Sequence, residues 1–239
     1  MRSQELYKIL MHSFKMMLDV RKIGDKVVAV KASGMQGPDF PDLGGAEVTL
    51  VARYEGVSGE CSTSYPAEFK GALSQVAQFD IENNPQERSI FIATMNAVMN
   101  CYETADECVS CPDDEAKERC AQIIAANYKN VNGAVNVLLV GYQPFMLKAL
   151  AEHFPLRVLD LDCAHIGNTY HGVTVEHGKD AFEDAVKWAN IILCTGSTLS
   201  NGTLTDFVNL PREVTFYGTT IAGCARQIGT KRVCHFGQN

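Results

Sequence analysis

No apolar run in this chain is long enough to cross a bilayer: the longest, VNVLLVG and NIILC, fall far short of the roughly 20 residues a spanning helix needs. Basic charge is also scarce, with 21 lysines and arginines against 28 acids and a formal net charge of −7. Nucleic acids and anionic membranes need a basic footprint, so both are excluded as partners. The opening residues, MRSQELYKILMHSFKMML, lack an unbroken apolar stretch and a small-residue cleavage site, which argues against a secretion signal. Internal repeats and low-complexity tracts are missing too. Cysteine, by contrast, is plentiful. There are nine, an odd number, mostly in apolar surroundings, with Cys163, Cys194 and Cys234 in or just after expected strands. A disulfide framework is thereby disfavoured, and a reducing cytoplasm is the expected compartment.

With 46% hydrophobic and 21% charged residues, the 239-residue chain reads as one large globular domain or two small ones. Its texture changes near residue 130. Beyond that point, VNVLLVG (135–141), LRVLDLD (156–162), NIILCTG (190–196), EVTFYG (213–218) and KRVCHFG (231–237) read as strands. Helical stretches at 144–154, 178–189 and 202–210 separate them. That alternation predicts a doubly wound, Rossmann-like parallel sheet of five strands. The first half predicts a helix over 3–19, then strands DKVVAVKAS and GAEVTLVARY joined by the loop GMQGPDFPDLGG, then helices over 66–79 and 85–102. It reads as a small α+β domain. The fold class is therefore α/β, with an α+β domain at 1–105, an acidic cysteine-bearing linker and helix at 106–130, and the Rossmann-like domain at 131–239.

The linker CYETADECVSCPDDEAKERC holds four of the cysteines. Cys108 and Cys111 have the Cys-x2-Cys spacing that lets two thiolates share an ion, and Cys101 could turn toward them from the end of its helix. The cofactor this suggests is zinc, iron or an iron–sulfur cluster; the alternative is a solvated acidic linker with incidental cysteines. If Pro112 opens a helix, Cys120 lies about 13 Å along the axis from Cys111, too far to share an ion, and falls on an apolar stripe suited to core packing. Seven acids against two bases between Glu103 and Arg119 disfavour a reactive thiolate and attract cations.

Ligands of open α/β sheets bind beyond the carboxyl ends of the strands. Gly141, Tyr142, Gln143 and Pro144 follow the first strand of the second half, but Gln143 occupies the second glycine position of a dinucleotide fingerprint, which disfavours ordinary NAD binding. Asp160 ends the next strand, 19 residues after Gly141, where an acid often holds a ribose hydroxyl. TGSTLSNGT supplies Thr195, Gly196, Ser197, Thr198, Ser200, Asn201 and Thr203, either a cradle for a polar ligand or a turn that caps the helix expected near Gly202. His165, His171 and His177 cluster with Cys163 without matching a trusted zinc spacing; lone loop histidines usually serve as surface hydrogen-bonding groups. Asp160, Asp162 or Glu47 could act as a general base, yet no nucleophile–base pair is visible, so whether the protein is an enzyme stays open.

NNPQERSIFIATMNAVMN, LLVGYQPF and CTGSTLSNGTL together resemble the putative heavy-metal chelation domain family. The resemblance implies an N-terminal domain similar to that of enolase, a Rossmann-like C-terminal domain, and a site in the cleft between them. It places Asn96, the Gly141–Pro144 turn and Thr195–Asn201 at that cleft. The expected function is binding of a small ligand or metal complex there, in heavy-metal handling; the alternative is an enzyme acting on a pterin-like or other heterocyclic molecule. The expected partner is that small-molecule or metal ligand, and a homo-oligomer stays open.

Overall fold

A computed structural model describes residues 2–33, 46–129 and 135–239. The expected loop GMQGPDFPDLGG (34–45) lies outside them. The first helix, α1 (Ser3–Arg21), buries Leu6, Tyr7, Leu10, Phe14 and Leu18, one face repeating every three or four residues. It stops at Lys22, which turns left-handed and returns its N–H to the Asp19 and Leu18 carbonyls. Four strands follow: β1 (Val27–Ala32), β2 (Val48–Tyr54), β3 (Val57–Thr63) and β4 (Phe69–Ala72). They form an antiparallel sheet in the order β3-β2-β1-β4.

Two of these strands run against the sequence expectation. The helix expected over 66–79 is instead β4, paired with β1, followed by the single helical turn α2 (Leu73–Val76). The strand β3 escapes a hydrophobicity reading because its buried positions are Gly59, Cys61 and Thr63, all small. They are small because α3 (Pro85–Cys101) lies directly on them: a Cβ on Gly59 would run into the backbone of Asn96 and Ala97. Asn84 caps α3 by accepting from the Gln86 and Glu87 N–H groups, and Pro85 opens the first turn. Every residue from Arg88 to Asn100 is buried, the mark of a helix enclosed on all sides.

The next helix, α4 (Asp114–Lys129), begins two residues later than Pro112 would have it, with the Asp113 carboxylate accepting from the Ala116 N–H. Then come β5 (Val137–Val140), α5 (Pro144–Ala151), β6 (Leu156–Asp160), β7 (Thr169–Tyr170), β8 (Val173–His177), α6 (Phe182–Trp188) and β9 (Ile191–Thr195). The chain closes with α7 (Thr198–Asn201), α8 (Leu204–Val208), β10 (Val214–Tyr217), α9 (Ala222–Ala225) and β11 (Lys231–Val233). The sheet has seven strands rather than five, in the order β11-β10-β9-β5-β6-β8-β7. All neighbours are parallel except β7 and β8, a hairpin turned by His171 and Gly172, both with positive φ (50° and 81°). That is the two-residue turn a tight hairpin demands, so His171 serves the turn.

On one face of this sheet α4 and α5 cover Val137, Leu139, Val158 and Leu193. On the other, Leu138, Leu159, Ile192 and Phe216 join α6, α8 and α9 in a core that continues through α3 into the antiparallel sheet. The chain winds from β5 through β6 to β8, then crosses back to β9 on the other side of β5. The sheet therefore reverses direction between β5 and β9, the place where such sheets open a crevice. Among the described residues no helix is long and apolar enough to cross a membrane.

Candidate functional site

At that reversal the strand ends open on a cavity of about 820 Å³. Its walls are Gly141 and Tyr142 after β5, Asp160 to Asp162 after β6, Thr195 to Thr198 after β9, and Tyr217 to Thr220 after β10. Glu47 and Ser62 reach in from the antiparallel sheet, and Ser110, Cys111, Lys117 and Cys120 from the linker and α4. The space suits a cofactor-sized molecule. The floor is held by Tyr217, whose buried hydroxyl donates to the Val140 and Gly141 carbonyls, each at 2.9 Å.

The turn after β5 is closed to anions. Asp160 places its carboxylate on the amides of Tyr142, Leu161 and Asp162, the last two at 2.7 Å. Gln143 caps α5 by accepting from the Met146 N–H. A phosphate approaching these amides would meet an internal carboxylate already in place. Pro144 opens α5 and does not line the cavity.

Thr195, Gly196, Ser197, Thr198 and Asn201 all line the cavity, but much of their polar capacity is turned inward. The Thr198 hydroxyl donates to the Thr195 carbonyl at 2.8 Å, and the Thr195 and Ser197 hydroxyls pair at 2.9 Å. Ser200 is fully buried and donates to the carbonyls of Ser62 and Ser197. Gly202 does not start the next helix; it separates α7 from α8 at φ 83°. Asn96 lies outside the cavity wall. Its amide donates to the Glu60, Thr219 and Thr220 carbonyls at 2.7, 3.2 and 3.0 Å, and its Oδ1 accepts from Gly223 N–H at 2.7 Å. Along with Ser200, it fastens the antiparallel sheet to the parallel one.

The groups left facing the cavity are acids and rings. Glu47, Asp160, Asp162 and Asp206 outnumber the lysines Lys117 and Lys179. Glu47 accepts from Asn201 Nδ2 at 2.8 Å and from the Ser197 hydroxyl. The residue's open side faces the cavity, yet protein crowds its carboxyl. That loss of hydration, reinforced by Asp160 and Asp162, raises its pKa, against the pull of the two hydrogen bonds. Tyr142 stacks on His165 (centroids 4.2 Å apart) and on Tyr170 (4.7 Å). His165 Nδ1 is buried without a hydrogen-bond partner, 3.7 Å from Asp162 Oδ2. His177 instead pairs with Asp180 at 3.0 Å, and Cys163 is exposed.

The cysteines are rearranged relative to expectation. Cys101 packs beside the core at the end of α3, and burial raises its pKa. Cys108 is fully buried, its thiol pushed up to about 12 by loss of hydration, and its carbonyl accepts from the Glu60 N–H at 2.9 Å. Of the three, only Cys111 lines the cavity, and its new neighbours are Cys120 and Cys234. No group of three or more His, Cys, Asp or Glu among the described residues is arranged to hold a metal ion. Cys120 packs against the apolar core under α4, as its stripe implies, and its other side lines the cavity. Cys234 reaches the same cavity wall through the C-terminal segment, where Val109 pairs with Gln238 in both directions at 2.9 and 2.8 Å. No local pattern signals that contact. Arg232 completes it, donating to the Asp106 and Glu107 carbonyls and to the Glu107 carboxylate. The linker is thus clamped to both halves of the molecule.

A family model described as putative heavy-metal chelation, DUF364, matches residues 125–228. Two solved structures of DUF364-family proteins of unknown function are similar. One, from Pyrococcus horikoshii, is 16% identical, with 89% of this chain and 79% of that chain covered and a TM-score of 0.49. The other, from Desulfitobacterium hafniense DCB-2, is 15% identical, with 91% and 84% covered and a TM-score of 0.47. No curated protein matches the chain.

Proposed function

We propose that the cleft binds a metal ion delivered inside a small planar organic chelate, a reading supported by the similarity of residues 125–228 to the DUF364 family model, described as putative heavy-metal chelation. The observation that carries this reading is one cavity combining an acid-rich wall, including Glu47 and Asp162, with the rings of Tyr142 and His165, Tyr142 being backed in turn by Tyr170. The acids attract the cation, and the rings offer a face to the planar ligand. A bare ion would need several protein donors at roughly 2.0–2.6 Å, whereas a chelate brings its own. Asp160 contributes charge, but its oxygens already accept from backbone amides.

Calorimetric titration with a nickel–phenanthroline complex, compared with aqueous nickel, tests this reading. The chelate is expected to bind at least tenfold more tightly than the bare ion. Tyr142→Ala and Asp162→Asn should each weaken it by about tenfold, roughly 1.4 kcal/mol. Equal affinity for the bare ion, or indifference to both substitutions, would rule the reading out.

Glu47 adds a pH dependence of defined sign. A cation favours the ionised carboxylate, so binding displaces the proton that a raised pKa retains. Chelate affinity should therefore rise with pH while Glu47 is still protonated in the free protein, and level off once its raised pKa has been passed. Titrations in buffers of different ionisation enthalpy should show proton release on the rising limb. Glu47→Gln should flatten this component of the profile; an unchanged profile in that variant would exclude Glu47 as its source.

The same carboxyl supports a second reading, an enzyme acting on a metal-free heterocycle with Glu47 as general acid or base beside Ser197. In that case a pterin without metal would bind through Tyr142, survive Asp162→Asn, and lose turnover with Glu47→Gln.

A further inference from the structure

The chelate reading gives Asp160 a share of the cleft's charge, yet its carboxylate also joins two strand ends. Oδ1 accepts from the Leu161 and Asp162 N–H groups, each at 2.7 Å, and Oδ2 accepts from the Tyr142 N–H. The first two contacts are local and hold the turn after β6, as aspartates at turns commonly do. The third is not local. It crosses from β6 to the end of β5, 18 residues back in the chain, and brings an anion of the protein's own to the sheet's point of reversal. In open α/β sheets the backbone donors at that point face the ligand, and phosphate is the anion they commonly hold. Gln143 repeats the pattern at the start of α5, where its Oε1 accepts from the Met146 N–H. Little positive charge offsets these oxygens. Of lysines and arginines the cavity wall carries Lys117 and Lys179, and Lys117 is engaged by Asp114 at 2.7 Å.

We propose that Asp160 is a specificity-determining residue: its carboxylate stands where a ligand phosphate would sit and confines the cleft to molecules without one. An incoming phosphate finds the Tyr142, Leu161 and Asp162 N–H groups taken. It also lies beside a like charge, and repulsion in a partly buried cleft is stronger than in open water. A nucleotide is thereby refused, although the reversal point and the cavity volume would both accommodate it. A metal chelate or an unphosphorylated heterocycle meets no such barrier. The carboxylate attracts a cation, and a ring needs only the face of Tyr142. As a statement about the class of ligand, this rests on the binding reading above; as a statement about Asp160, it can be tested without any chelate.

The test titrates the full-length protein with inorganic phosphate, followed by calorimetry and by the backbone amide resonances of Tyr142, Leu161 and Asp162. In wild type these three resonances should not move. Asp160→Asn keeps an oxygen for the Leu161 and Asp162 N–H groups but sets an N–H donor beside the Tyr142 amide. Asp160→Ala frees all three amides. Each variant should bind phosphate on the order of tenfold more tightly than wild type, with shifts at the same amides. Acetate should refill the position vacated in Asp160→Ala and raise its Tm, leaving wild type unchanged. An aspartate that merely held the turn would cost stability in Asp160→Ala and bring no gain in phosphate affinity. Circular dichroism shows whether each variant folds, and the wild-type resonances give a readout should either fail to. Phosphate-dependent shifts at these amides in wild type, or folded variants with no gain, would overturn the proposal. Nickel–phenanthroline titration of wild type is the separate arm: its failure removes the chelate reading and leaves the role of Asp160 standing.

Discussion

Asn96→Ala is expected to destabilise the fold by about 3–5 kcal/mol while leaving the cleft's affinity for its ligand unchanged. The side chain is fully buried and makes four hydrogen bonds, three of them to Thr219, Thr220 and Gly223 in the turn before and within α9. Its truncation strands the Gly223 N–H and removes a donor from three carbonyls, in an interior where each unsatisfied group costs about 1–3 kcal/mol. Relaxation recovers part of that sum. For a chain of this length the loss corresponds to a fall in Tm of about 10 °C. Urea denaturation followed at equilibrium gives the free energy, and chelate titration of the folded variant gives the affinity. A loss under about 1 kcal/mol accompanied by lost binding would instead make Asn96 a ligand-contacting residue.

The contrast between Asn96 and Tyr142 shows what the sequence makes legible. Both belong to stretches that stand out, and both were expected at one cleft. Tyr142 is there because its position follows from a rule about strand ends, which needs only the β5-turn-α5 pattern. Asn96 is decided by what packs on α3, and three of its four partners lie more than 120 residues away in the chain. The parallel strands were readable because burial on both faces leaves unbroken apolar runs such as VLLV and IILC. The strand β3 was not, since the close approach of α3 selects small residues there and erases the alternation. The cysteines follow the same logic. Cys-x2-Cys is a local pattern and points to Cys108 and Cys111, whereas Cys120 and Cys234 share a cavity wall only through the return of the C-terminus to the linker.

Gly141→Val is expected to cost a similar amount, about 3–5 kcal/mol, and also to abolish ligand binding. Gly141 has φ +90°, where a β-branched residue adds strain of about 1–3 kcal/mol. A Cβ there would also lie 2.7 Å from Thr195 Cγ2 and 3.2 Å from the Tyr217 hydroxyl. Overpacking of that kind adds about 1–3 kcal/mol. Neither neighbour is free to yield: Thr195 ends a central strand, and Tyr217 is anchored on the Val140 and Gly141 carbonyls. Displacing them moves the floor of the cleft. Gly218 separates the two contributions. It lines the same cavity at the same φ of +90°, but nothing lies within 4 Å of its Cβ position. Gly218→Val should therefore show the backbone strain alone. Thr195→Ser, which deletes Cγ2 and keeps the hydroxyl, should return part of the stability lost in Gly141→Val. Equal losses at Gly141 and Gly218, with no rescue from Thr195→Ser, would mean that backbone conformation alone requires glycine where β5 meets β9.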